Sequence, residues 1–109
     1  MKVSVAVAGL LLLSAPAGAQ KGDAFAGTKA AVAKGLKDPG SAVFSGMARA
    51  MRPNARGVPT DTVCGTVNAK NSYGGYTGAR PFVHFIADNS VNIAGESALD
   101  TTVVQNFCK

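Results

Sequence analysis

The chain has 109 residues, a formal net charge of +5 and two cysteines. That length fits one domain. The excess of Lys and Arg is mild and forms no run, which disfavours nucleic acid as a partner. It leaves anionic surfaces open: lipid headgroups, cell-wall polymers and acidic proteins.

The first segment reads as an export signal. Met1-Lys2 is a short positive start, Val3 to Leu13 is apolar apart from Gly9, and Ser14 to Ala19 is a small-residue stretch holding Pro16. It ends Ala17-Gly18-Ala19, the A-x-A pattern that signal peptidase cleaves because its pocket accepts only small side chains there. The apolar run is shorter than the roughly 20 residues that cross a bilayer. Residues 1–19 are therefore expected to be a signal peptide, and residues 20–109 one domain of the periplasm or the secreted fraction. Removing Lys2 leaves the exported form at about +4.

Asp23 to Lys37 is predicted to be a helix. Alanines dominate it, and Phe25, Thr28, Val32 and Leu36 fall on one face. Asp23 in the first turn and Lys34 and Lys37 in the last suit the helix dipole. Asp38-Pro39-Gly40 ends it, because Pro39 disfavours helical geometry at the residue before it. Ser41 to Met47 is a predicted strand. Arg49 to Asp61 is predicted to be a loop, since Pro53, Gly57 and Pro59 interrupt it. Its arginines, Arg49, Arg52 and Arg56, are either a mobile basic patch or simply solvated.

Thr62 to Ala69 alternates as a strand. Asn71 to Gly78 is turn chemistry. Pro81 to Ala87 is the strongest strand, apolar on both faces and so expected at the centre of a sheet. Asp88-Asn89-Ser90 turns the chain into a short strand, Val91 to Ala94. Ser97 to Phe107 is the second predicted helix, with Ser97 as cap and Asp100 in an acidic variant of the capping box. Leu99, Val103 and Phe107 repeat every four residues, flanked by Val104 and Cys108.

These elements predict an α+β fold. An N-terminal helix, a three- to four-stranded antiparallel sheet and a C-terminal helix are expected, with both helices on one sheet face. In an oxidising compartment the pair Cys64 and Cys108 reads as one disulfide. The helical stripe puts Cys108 on the buried side of its helix end, where it can meet Cys64 in the sheet. A loop of that span is worth about 4 kcal/mol in the chain-entropy model. Two Cys and one distant His make a poor zinc set, so no metal is expected.

Three pieces carry a resemblance: Leu36 to Phe44 (LKDPGSAVF), Val63 to Gly78 (VCGTVNAKNSYGGYTG) running into Pro81-Phe82, and the closing Phe107-Cys108. Together they resemble a group of small exported bacterial and prophage-encoded proteins with the pattern LKDPxSAxF, VCGxVNAKNSYGGYxG and a terminal Cys. The match spans nearly all of residues 20–109. Thr66 stands where the group is expected to carry an acidic residue. The resemblance implies a shared fold and export, and brings no activity.

The candidate site is the loop around Tyr73 to Arg80. Tyr73 and Tyr76 offer flat contact area at low entropy cost, and Asn71 and its Ser and Gly neighbours offer adaptable hydrogen bonds, the mix that recognition loops use. Lys70 and Arg80 flank it and could hold an anionic group. Equally, the glycines could serve positive φ in a hairpin, with the tyrosines covering the core edge. His84, the single histidine, lies in the central strand without a paired acid or nucleophile, so a satisfied, partly buried histidine is expected. No nucleophile–base pair, cofactor motif or phosphate loop is visible. The expected function is a non-enzymatic binding protein of the envelope. It would recognise a protein or cell-wall partner, or inhibit a hydrolase, through the Tyr73–Arg80 loop. The alternative is a structural component of an envelope or phage assembly.

Overall fold

Four strands in the order β1-β2-β3-β4 form one antiparallel sheet, and a helix covers each face. The computed structural model describes residues 25–109; the expected signal peptide and the start of the expected first helix lie outside them. Helix α1 (Ala26–Ala33) is followed by strands β1 (Val43–Pro53), β2 (Pro59–Asn68), β3 (Arg80–Phe85) and β4 (Ser90–Ile93), then helix α2 (Ala98–Phe107). The class is α+β, with a Cys64–Cys108 disulfide.

Helix α1 ends earlier than its apolar spacing suggests. Gly35 N–H donates to the Val32 carbonyl and Leu36 N–H to the Ala33 carbonyl, so the helix closes in tighter turns before Lys37. Lys34 and Lys37 thus lie beyond its last turn. A short 3-10 turn, Pro39–Ser41, redirects the chain into β1.

Strand β1 runs well past Met47, which corrects the expected loop over Arg49 to Asp61. Only Asn54 to Val58 is loop, and it is built by Asn54: its Oδ1 accepts from Arg56 N (2.8 Å) and Val58 N (3.0 Å). Pro53 and Pro59 face each other at the end of the ladder, where a missing N–H costs least. Two of the three arginines of this stretch, Arg49 and Arg52, are held by their side chains. Arg49 donates Nε and Nη2 to the two carboxylate oxygens of Asp61 at 3.0 and 2.6 Å. Arg52 Nη1 donates to Thr62 Oγ1 at 2.7 Å. Arg49 and Arg52 therefore brace a hairpin instead of joining a mobile patch, and Arg56 contributes only its backbone N–H to the turn.

A bulge between Ser45 and Ala48 interrupts the β1–β2 register, with Gly46 at φ 61°. It lets Met47 cross over Gly65. A Cβ on Gly65 would lie 2.7 Å from Met47 Cγ, so a larger residue there forces Met47 to shift.

Alternation along β3 assigns the two faces. Phe82 packs with Val32 of α1, Val67 and Ile93, with Leu36 and Phe44 at the margin. Val83, its neighbour, packs with Cys64 and with Val104 of α2, with Phe85 and Phe107 beside them. Edge-to-face ring pairs anchor both sides: Phe44 on Phe82 (6.0 Å) and Phe85 on Phe107 (4.9 Å). The helices thus lie on opposite faces, not on one. Phe82, Val83 and His84 are all buried, as a central strand requires.

Helix α2 follows its expected start. Ser97 Oγ accepts from Asp100 N at 3.0 Å and donates to Asp100 Oδ2 at 2.7 Å. The expected stripe is rotated, however. Leu99 is 71% exposed, and Val104 is the buried residue, with Val103 and Phe107 partly covered. The disulfide, with its Cα atoms 5.8 Å apart, ties the end of α2 to β2. Among the described residues no helix is long and apolar enough to cross a membrane.

Candidate functional site

The segment between β2 and β3 is a loop built on the side chain of Asn71. Its Oδ1 accepts from Tyr73 N (2.9 Å) and Gly75 N (3.2 Å), while its own N–H donates to the Gly75 carbonyl (2.9 Å). That closes a tight turn, with Gly74 at φ 86° where a larger residue would be strained. Further back, Lys70 pairs with Tyr76 in an isolated bridge. Thr77 N–H donates to the Ala69 carbonyl (3.2 Å) and Gly78 N–H to Asn68 Oδ1 (3.0 Å). The loop's backbone is thus tied at both ends and across its middle.

This construction projects Tyr73 outward. Its side chain is 96% exposed, so it contributes nothing to the core. Tyr76 is half exposed and lies back against the fold, its hydroxyl donating to the Ser41 carbonyl at 3.2 Å. Lys70 Nζ sits 5.6 Å from the centre of the Tyr76 ring, a cation–π contact. Ser41 also accepts the Lys70 N–H on its Oγ at 2.8 Å. Ser41 therefore stitches the LKDPGSAVF and VNAKNSYGGY segments into one surface at one end of the sheet.

The candidate residues separate into two groups. Lys70, Tyr73 and Tyr76 share an exposed surface, whereas Asn71 spends its side-chain oxygen on the turn. Arg80 is drawn the other way, with Nη1 donating to Glu96 Oε2 at 2.7 Å. Between these groups lies a cleft of about 240 Å³, lined by Gly35, Lys37, Ala69, Lys70, Arg80 and Glu96 among others. Sequence reasoning missed Lys37 and Glu96 as parts of this site. Lys37 is legible only as a helix-end charge, and Glu96 only as a residue before a cap.

His84 stands apart from the loop and is buried. Its Nδ1 lies 2.8 Å from Thr28 Oγ1 of α1 and its Nε2 2.7 Å from Asn89 Oδ1 in the β3–β4 turn. With Nε2–H donating to Asn89, Nδ1 accepts the Thr28 hydroxyl proton, so the neutral ring is satisfied on both sides. Asn89 is held at φ 58°, a left-handed conformation Asn tolerates. The histidine is a tether between layers, as expected of a satisfied buried ring.

A wider hollow of about 560 Å³ opens elsewhere on the fold, between Arg52, Asn54, Asn106, Phe107 and Lys109. Its one arginine is already bonded to Thr62. Among the described residues no three of His, Cys, Asp and Glu gather as a metal site. Compared with protein-family models, curated proteins and solved structures, the chain finds no match.

Proposed function

We propose that this chain is an exported, non-enzymatic binding protein of the cell envelope, periplasmic or secreted, that engages a protein partner through its Tyr73 loop. The observation that carries this reading is the contrast between Tyr73 and its support. A nearly fully exposed aromatic ring sits on a backbone locked by Asn71. A large apolar ring left in water has no stabilising role in the free fold. Held on a rigid turn, it contributes contact area with little ordering cost on binding. Tyr76 and Lys70 extend the same surface. Membership of the exported family that the sequence resembles, and inhibition of a hydrolase as the particular outcome, belong to the same proposal.

The test is affinity capture from envelope extract. The baits are the oxidised exported protein and a Tyr73→Ala, Tyr76→Ala variant of equal thermal stability. A partner retained by the first and lost from the second supports the reading. Equal retention of the same partner by both baits overturns the assignment of the loop.

A second reading, a structural component of an envelope or phage assembly, is favoured by the edge of β1, an 11-residue strand paired on one side only among the described residues. Salt-insensitive oligomers of the purified protein would support it.

A further inference from the structure

The cleft beside the loop has chemistry that the tyrosines do not explain. Three cations from separate parts of the chain line it: Lys37 after α1, Lys70 after β2 and Arg80 at the start of β3. One carboxylate, Glu96, also lines it, and that group is held by Arg80 Nη1 at 2.7 Å. The lining therefore carries an excess of positive charge with no acidic partner for either lysine among its walls. Small residues, Gly35 and Ala69, keep the space open.

Arg80 supplies a second observation. Its Nε is closed to solvent and has no hydrogen-bond partner among the described residues. Buried donors are nearly always paired, and an orphan marks an incomplete set. Arginine offers carboxylates a two-pronged contact, and Arg80 keeps an unused donor while it lines the cleft.

We propose that this cleft is a carboxylate-binding site and that it takes an Asp or Glu side chain of the protein that the Tyr73 loop engages. The inference rests on the binding reading above and names the partner's chemistry: an acidic residue beside an apolar or aromatic contact. The volume, about 240 Å³, lies below the roughly 300 to 1,000 Å³ typical of small-molecule sites. It suits a single side chain and not a whole cofactor. A membrane is the weaker occupant, because anionic lipid recognition uses clusters of about four to eight basic residues, and only Lys37, Lys70 and the paired Arg80 meet here. Lys70 belongs to both surfaces, since it lines the cleft and lies over the Tyr76 ring. It would couple the two contacts.

The test is an NMR titration of the oxidised exported protein with glutarate, with neutral glutaramide, with inorganic phosphate and with anionic phosphatidylglycerol vesicles. Saturable glutarate shifts are expected at Lys37, Lys70, Asn71 and the Arg80 Nε–H, with none from glutaramide. Lys37→Gln and Lys70→Gln should each weaken glutarate about tenfold, as loss of one charge-assisted bond implies. Tyr73→Ala should leave the titration unchanged while abolishing partner capture. An unchanged titration with lost capture keeps the cleft and the loop as separate, working parts; loss of capture alone is the loop's own signature. No saturable glutarate shift, or one that survives both lysine substitutions, overturns the cleft assignment even if the loop captures its partner. Phosphate binding at least tenfold tighter than glutarate overturns the carboxylate assignment. Vesicle binding at physiological salt overturns the choice of a protein partner.

Discussion

Thr28 and His84 are 56 residues apart, yet Thr28 Oγ1 meets His84 Nδ1 at 2.8 Å inside the fold. Helix α1 is only eight residues long and buries Thr28, Ala31 and Val32 alone. Helices this short are not stable in isolation, so this bond and Val32 are what dock it. Thr28→Val keeps the shape but leaves a buried ring nitrogen without a partner, which costs about 1–3 kcal/mol. Urea unfolding should show that loss with an unchanged slope. Amide exchange should speed up in α1 before it does in the sheet.

The disulfide is expected to dominate stability. It closes a loop between residues 44 positions apart, worth about 4 kcal/mol in the chain-entropy model. Each kcal/mol moves the melting point of a domain this size by about 4–8 °C. Cys64→Ser, Cys108→Ser should therefore melt at least about 15 °C lower than the oxidised protein, as followed by circular dichroism. A shift of only a few degrees would mean that the packing of α2 on Val83 holds without the cross-link.

Gly65 tests the bulge. A methyl group there would meet Met47 Cγ at 2.7 Å, Phe82 Cζ at 3.1 Å and Met47 Cα at 3.2 Å. The Met47 side chain can swing away, but its backbone cannot without losing the bulge. Gly65→Ala should cost about 1–3 kcal/mol, the usual range for overpacking. Met47→Ala in the same protein should recover part of that loss, giving a double-mutant coupling that is absent if the clash is not the cause.

Acid should weaken the fold in a defined window. The Arg49 hydrogen bond lowers the Asp61 carboxyl from its ordinary value. Ser90 does the same for Asp88, and Ser97 with Asn92 for Asp100. A carboxyl whose folded value is depressed contributes stability that is complete above its unfolded value, about 3.9 for Asp. That stability is lost as pH falls through the lower folded value. All three groups lie near solvent, so the effect is screened and modest. Their share of the melting temperature should be lost as pH falls below about 4. Asp61→Asn should flatten the acid limb; a limb of unchanged steepness would show that this pair is not coupled to folding.

Much of the architecture is legible residue by residue. Ser97 and Asp100 announce the start of α2, and the apolar run over Phe82, Val83 and Ile86 announces a central strand. The two cysteines announce their own bond by being an even pair. The candidate loop is legible too, through Tyr73, Tyr76 and the glycines between them. These are signals set by capping chemistry, period-two alternation and cysteine count, and they need no knowledge of distant neighbours.

Other features arose only when the chain closed on itself. Arg49 to Pro53 reads as loop because Pro53, Gly57 and Pro59 break regular structure nearby; pairing with β2 makes it strand, and Asp61 and Thr62 across the hairpin hold its arginines. Alternation shows that β3 has two apolar faces, but not which helix covers which, because a strand's period carries no information about its coverings. Leu99 fits the helical stripe, yet the disulfide and Val104 set the rotation of α2 and leave Leu99 in water. The cleft is the plainest case. Lys37, Lys70 and Arg80 are separated in sequence by a turn, a hairpin and a loop, and only the sheet's pairing brings their charges to one wall. Local propensity determined the elements; long-range pairing, which no short window of sequence contains, decided their faces and the charge of the site.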